Sequence, residues 1–234
     1  MFGIELLIII PPFLMALWAQ SLVKSNFAKY SQVRAKRGLT GAQVAEALLR
    51  HNGIKDVNIE KVSGDLTDHY DPRSKTVRLS QNIHDSTSVA ALSIAAHEVG
   101  HAVQHDVSYT PLTLRSAILP AAQIGSNAGI WMFMIGLMIT MFAGGGIMSD
   151  QIMLVGIVLF TAAVAFQVIT LPVEFNASSR AIDMLEEFDF LDKDEVRPAK
   201  HMLNAAALTY VAATAMAIAQ LIRLLLIFAN TRRG

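Results

Sequence analysis

The stretch Ala95-Ala96-His97-Glu98-Val99-Gly100-His101 decides how this chain is read. It has the form H-E-x-x-H. On a helix, positions i and i+4 share a face, so His97 and His101 can present their imidazoles to one metal ion. Glu98 then stands beside the pair, where a carboxylate can take a proton from water held at the ion. The flanks suit a helix packed in a core, since Ile94, Ala95, Ala96, Val99, Ala102 and Val103 are uncharged and mostly small. Asp85-Ser86-Thr87-Ser88 supplies N-cap candidates just upstream. A glutamate packed between two histidines on an apolar helix needs a partner for its charge. A metal site gives it one, and a helix with two merely buried histidines does not.

The 234 residues are 53% hydrophobic and 16% charged, with a mean hydropathy of +0.43. Ordinary soluble domains carry about a quarter charged residues, so a membrane protein is indicated. The formal net charge is zero, which implies no basic surface for nucleic acid. There is no cysteine, which excludes disulfides, thiolate zinc sites and a cysteine nucleophile. Any metal must be held by histidine and carboxylate.

The chain divides into five stretches. Residues 1–23 read as an uncleaved N-terminal transmembrane helix, because Leu6 to Leu22 is apolar apart from Gln20 and Ser21. Trp18 is placed as an interface anchor, and Pro11-Pro12 should kink the helix. Glu5, with no Lys or Arg before the run, is the wrong flank for a cleaved signal. Residues 24–123 form the catalytic region. Within it, Thr40 to Gln43 resembles a capping box for a helix to about His51, stopped by Asn52-Gly53. Val57 to Val62 and Thr76 to Leu79 alternate as strands on either side of the turn-rich Asp68-His69-Tyr70-Asp71-Pro72-Arg73-Ser74-Lys75, which predicts a small β-hairpin. Its edge could pair with an extended peptide. Residues 124–173 read as a transmembrane hairpin. Its first span is placed at about Asn127 to Ile147, its turn at Gly144-Gly145-Gly146, and its second span ends at Leu171-Pro172. Residues 174–204 hold a polar helix opening at Glu174, and a connector in which Leu191 to Glu195 resembles a capping box. Residues 205–234 form an apolar helix interrupted by Gln220 and Arg223, either a fourth span or a partial one.

Basic residues set the expected orientation. Lys24, Lys29, Arg34, Lys36 and Arg37 follow the first span, which places the catalytic region on the cytoplasmic side of the cell membrane. The 144–151 turn, with no Lys or Arg, then lies outside. A complete fourth span would put Arg232 and Arg233 outside too, against the rule.

A catalytic zinc takes three protein ligands and keeps one position open. Glu174 is the best third candidate, since a carboxylate at the end of an apolar run is costly unless paired or metal-bound. Asp183 and the acidic Glu186-Glu187 are weaker alternatives. H-E-V-G-H, a membrane hairpin, and then Glu174-Phe175-Asn176-Ala177-Ser178-Ser179-Arg180-Ala181 together resemble the YugP-like bacterial membrane zinc metallopeptidases. The resemblance extends over nearly the whole chain and includes the segment from Asp68 to Lys75. In architecture the chain also looks like the HtpX-like proteases of the gluzincin group. The resemblance implies a mainly α membrane protein with three to four transmembrane helices and a zincin-like α+β catalytic domain. It implies Zn2+ bound by His97, His101 and Glu174, with Glu98 as catalytic base hydrolysing a peptide bond of a protein or peptide substrate. Many gluzincins place an Asp four residues after the third ligand, where it orients a histidine. Ser178 stands there in this chain, so Ser178, Asn176 and Asp183 are the candidates for that task. His69, Tyr70, Tyr109, His105 and Tyr210 could stabilise the oxyanion, and the turn-rich segment favours His69.

Two other functions share the motif. A site-2-type intramembrane protease would need H-E-x-x-H inside a span, and the apolar stretch from Val89 to Val103 is too short for one. A non-enzymatic membrane scaffold with a structural metal would not need Glu98 or an open metal position.

Overall fold

A computed structural model describes residues 2–232, with side chains from Leu6 onward. The Glu5 side chain and Arg233, both used above, therefore lie outside what is described. In chain order the elements are α1 (Phe2–Tyr30), α2 (Gly41–His51), β1 (Asn58–Val62), β2 (His69–Asp71), β3 (Thr76–Ser80), α3 (Gln81–His84), α4 (Val89–Asp106), α5 (Thr110–Ala143), α6 (Ile147–Glu187) and α7 (Lys193–Thr231). Among them α1, α5, α6 and α7 are long and apolar enough to cross a membrane.

These four helices run well beyond the apolar stretches that announced them. α1 continues through Lys24 and Lys29 to Tyr30, and α5 begins at Thr110, long before Asn127. The first hairpin span ends at Ala143, and Ile147 already belongs to α6. Between them Gly144, Gly145 and Gly146 all take positive φ, of 79°, 74° and 130°, a turn that side chains with a Cβ resist. The expected break at Leu171-Pro172 is absent. α6 carries Pro172 inside it and passes unbroken through Glu174 to Glu187. Proline removes one backbone donor, and long membrane helices tolerate that. Composition changes at Pro172, but the backbone does not.

The chain gathers into two compact units. One holds the chain up to Trp18, Leu114–Leu171 and the chain from Tyr210. There the backbones of α5 and α6 approach closely. A Cβ on Gly129 would stand 2.8 Å from Phe160 N, and one on Gly156 would stand 2.6 Å from Gly129 O. Phe133, Met153, Ile157, Phe160, Val164 and Leu224 fill the core of this unit. Its outer faces keep large apolar side chains exposed, Trp131 at 69% and Phe142 at 78%, which suits lipid rather than water. At one end Arg232 Nε lies 3.5 Å from Asp150 Oδ2. The end of α7 thus stands beside the start of α6, and its apolar stretch runs the length of its neighbour's. Arg232, misplaced by the charge rule, has a carboxylate partner there.

The second unit holds Ala19–Thr113 and Pro172–Thr209. Its helix ends follow the sequence signals. Thr40 and Gln43 close a reciprocal capping box on α2, with Gln43 N donating to Thr40 Oγ1 at 3.3 Å and Thr40 N to Gln43 Oε1 at 2.9 Å. Ser88 caps α4, its Oγ accepting from Ala91 N at 3.2 Å. Such caps contribute about 1 kcal/mol each. Glu195 accepts from Asp192 N and from Lys36 N, both at 2.9 Å, so the box expected at 191–195 also pins the chain that follows α1. The buried face of α4 packs into a core with Val44 and Leu48 of α2, Val77 and Leu79 of β3, and Leu185 of α6.

The sheet corrects the expected hairpin. Its strand order is β1-β3-β2, with β1 and β3 parallel, from Asn58 opposite Thr76 to Val62 opposite Ser80. Parallel neighbours cannot be joined by a tight turn. The hairpin partner of β3 is instead β2, three residues hidden in the turn-rich segment, with His69 opposite Arg78 and Asp71 opposite Thr76. The tight turn lies between them. Asp71 accepts there from Arg73 N at 2.9 Å and from Ser74 Oγ at 2.8 Å, and these donors together with Arg78 hold its carboxyl down at about 2. Directly opposed residues share a face of a sheet. Ile59, Val77 and Tyr70 therefore share the core face, and Glu60, Arg78 and His69 the outer one.

Candidate metal centre

Glycine decides how closely the two site helices approach. A Cβ on Gly100 would stand 2.7 Å from Ala177 O, closer than side chains allow, so α4 meets the polar end of α6 backbone to backbone. That contact lies between the two histidines of α4 in sequence, and three residues from Glu174 on α6. The result is a triad. One donor atom from each of His97, His101 and Glu174 lies within 4.8 Å of the others. Glu174 Oε2 is 3.3 Å from His97 Nε2 and 3.6 Å from His101 Nε2. The Glu174 side chain is 3% exposed, and the two histidines are 13% and 12% exposed. The imidazole rings stand edge to face, 4.8 Å between centroids.

The far side of each imidazole is also held. Ser178 Oγ lies 3.1 Å from His97 Nδ1. Gln104 Oε1 lies 3.0 Å from His101 Nδ1. Gln104 is fully buried, and its Nε2 donates to Val173 O at 2.8 Å and to Asn176 Oδ1 at 2.9 Å. Arg180 Nε donates to the same Asn176 oxygen at 2.9 Å. Burial works against a charge on His101, but the nearby Glu174 carboxylate outweighs it and raises the pKa above the usual histidine value.

Glu98 follows His97 on α4 and is 8% exposed. Asp68, at the entry to β2, lies within electrostatic reach of it. Burial raises the Asp68 carboxyl against hydrogen bonds from Ser80 N and Oγ, and the Glu98 charge adds to the rise. The start of β2 thus passes the catalytic-base candidate. Two residues on, Tyr70 Oη lies 2.8 Å from His105 Nδ1, one helical turn beyond His101.

His97, His101 and Glu174 come together as the sequence suggested. His69 does not join them: it is exposed on the outer face of β2, and its Nδ1 lies 2.8 Å from Thr67 O. Asp183 faces Ser179, 3.5 Å away, and Glu186 and Glu187 are exposed. Of the orienting candidates, Ser178 meets His97 and Asn176 acts at one remove. Gln104 was missed. Its signal was an amide three residues after His101 on the face that carries both histidines, where i and i+3 side chains are neighbours.

Two imidazole nitrogens and one carboxylate oxygen are the ligand types that a catalytic zinc takes, with a coordination position left over. The three converging donors, on the rigid contact at Gly100, fit such an ion. Residues 5–229 match the family described as "putative neutral zinc metallopeptidase". The chain is 46% identical over 220 residues, 93% of each chain, to a Bacillus subtilis (strain 168) protein named "Putative membrane protease YugP". No solved structure matches it.

Proposed function

From the membership of this chain in the neutral zinc metallopeptidase family, we propose that it is a membrane-bound endopeptidase working through Glu98 as general base. The observation that carries the reading is the convergence of His97, His101 and Glu174 beside a buried Glu98. When bound, zinc lowers the pKa of a coordinated water to about 7 and polarises the scissile carbonyl. His97, His101 and Glu174 would hold the ion. Glu98 takes a proton from the attacking water and returns it to the leaving amine. Closure of α4 on α6 at Gly100 keeps these groups in register. The surrounding α2, β-sheet and α4 make a small α+β unit of the kind a zincin-like domain uses. The substrate is a protein or peptide, and a role in membrane protein quality control fits an enzyme whose helices cross a bilayer.

The orientation we propose places 24–120 and 172–204 on the cytoplasmic side and the 144–151 turn outside. The chain has no native cysteine, so labelling is direct. Ser149 is buried, which makes exposed Met148 the better outer position. A cysteine at Met148 should react with an impermeant reagent in intact cells, and one at Ser63 should not. The reverse pattern overturns the orientation.

The catalytic reading is tested by Glu98→Gln in detergent-purified protein. Glu98 is not among the three converging donors, so the variant should keep zinc. General-base catalysis is worth about 10²–10⁴-fold, and cleavage of an unfolded protein such as casein should fall by that much. Cleavage at the parent rate would refute the mechanism. Zinc in the parent with no zinc-dependent cleavage would favour the scaffold.

A further inference from the structure

We infer that Gln104, aligned by Asn176 and Arg180, is a positioning residue that fixes the tautomer of His101 and turns its Nε2 lone pair toward the metal position. The inference rests on the zinc reading above. It follows from donor and acceptor chemistry along one chain of contacts.

The guanidinium of Arg180 has only donors. The Asn176 atom 2.9 Å from Arg180 Nε must therefore be the carbonyl oxygen. That oxygen also faces the Gln104 side chain at 2.9 Å, so the Gln104 atom there must be the NH2 group. The Val173 carbonyl, an acceptor only, imposes the same choice from a second direction at 2.8 Å. Both amides are thus fixed in orientation, which an isolated amide is not. What remains of Gln104 is its carbonyl oxygen, 3.0 Å from His101 Nδ1. An amide oxygen cannot donate, so Nδ1 must carry the hydrogen. In the neutral ring the lone pair then resides on Nε2, the atom 3.6 Å from Glu174 Oε2.

Metal-ligating histidines commonly donate their second N–H to a carboxylate or a backbone carbonyl. Here an amide serves, and its own orientation is set by an arginine two contacts away. His97 is treated differently. Its Nδ1 faces the Ser178 hydroxyl, which donates or accepts as required and leaves that ring's tautomer open. The arrangement also assigns a use to Arg180, a half-buried cation within the polar continuation of α6. Asn176 and Arg180 lie one turn apart on that helix, so the chain of contacts ties the ligand on α4 to the backbone that carries Glu174.

The test is zinc affinity, measured by competition with a chromophoric chelator on the full chain in detergent. Loss of an outer hydrogen-bond partner typically costs 10–100-fold in metal affinity. Gln104→Leu keeps the bulk but removes the acceptor, and should bind zinc at least about tenfold more weakly. Gln104→Glu keeps an acceptor for Nδ1–H but loses the donor to Val173 O and Asn176 Oδ1, so it should recover only part of that loss, binding zinc at least about threefold more tightly than Gln104→Leu. Parent-like affinity in Gln104→Leu overturns the inference. So does equal weakness in both variants, which would mean that the site needs the packing and not the acceptor. Should neither variant fold, Arg180→Met carries the test from the half-buried end of the chain. About a tenfold loss supports the inference, and unchanged affinity overturns it. The parent is measured first. If it binds no zinc, the metal reading fails and takes this inference with it, whereas a zinc-binding parent and a parent-like Gln104→Leu remove the inference alone.

Discussion

Gly156 of α6 lies against Gly129 of α5, and further along the same helix Ala177 lies against Gly100 of α4. The two contacts use one device, a missing Cβ that lets backbones touch. Around Gly129 the neighbours are Phe133, Phe160 and Ile157, all apolar. Around Gly100 they are two imidazoles, Glu174 and the buried Gln104. In the first case close approach yields only dispersion contacts, as small residues do between membrane helices. In the second it sets distances between the three converging donor atoms. Tolerance should differ accordingly, because apolar packing can relax by a few tenths of an ångström and a ligand set cannot.

Four substitutions press on that difference. His97→Ala has the largest effect: zinc content by elemental analysis and peptidase activity should both vanish, because the ion itself activates the water. Retained stoichiometric zinc would remove His97 from the ligand set. Gly100→Ala comes next. The added methyl must push against the Ala177 carbonyl, and displacement of a catalytic group by about 1 Å costs about 10²-fold in rate. A drop of that order in kcat/KM, with weakened zinc binding, is the expected result. A fully active Gly100→Ala would show that the contact is slack. Gly129→Ala should instead destabilise the fold by about 1–3 kcal/mol through overpacking. Its zinc affinity should be unchanged, so thermal unfolding in detergent and chelator competition should separate. If Gly129→Ala lost zinc as Gly100→Ala does, the two contacts would not differ in kind. The smallest effect belongs to His69→Ala. Loss of an oxyanion donor costs about 10²–10³ in rate. His69 shares the outer face with Arg78 and Glu60, and its removal should cost under about threefold, far below that range.

The three converging donors were legible because helical spacing alone puts His97 and His101 on one face, and because Glu174 stood out at the edge of an apolar run. The α2 and α4 caps were legible for a similar reason, since Thr40 and Ser88 act within three residues of themselves. The same local logic failed wherever the partner lay far along the chain. Gln104 bonds to residues on α6, and nothing near it announces them. β2 is three residues long and its alternation is masked by Asp71, which reads as a turn former and is one. β1 pairs in parallel across an intervening strand, so the nearest two alternating runs were not each other's hairpin partners. The continuity of α6 through Pro172 was hidden by composition, which marks where polarity changes and says little about where hydrogen bonding stops.

The triad also has a consequence in time. His97 and His101 leave the ribosome before α5 and the apolar part of α6 are made, and Glu174 follows only after both. A growing chain at that stage lacks Glu174, one of the three donors proposed to hold zinc. The third arrives on the same unbroken helix as the second half of the membrane hairpin. On the proposed ligand set, the site is completed only after the segments that tether it have been synthesised.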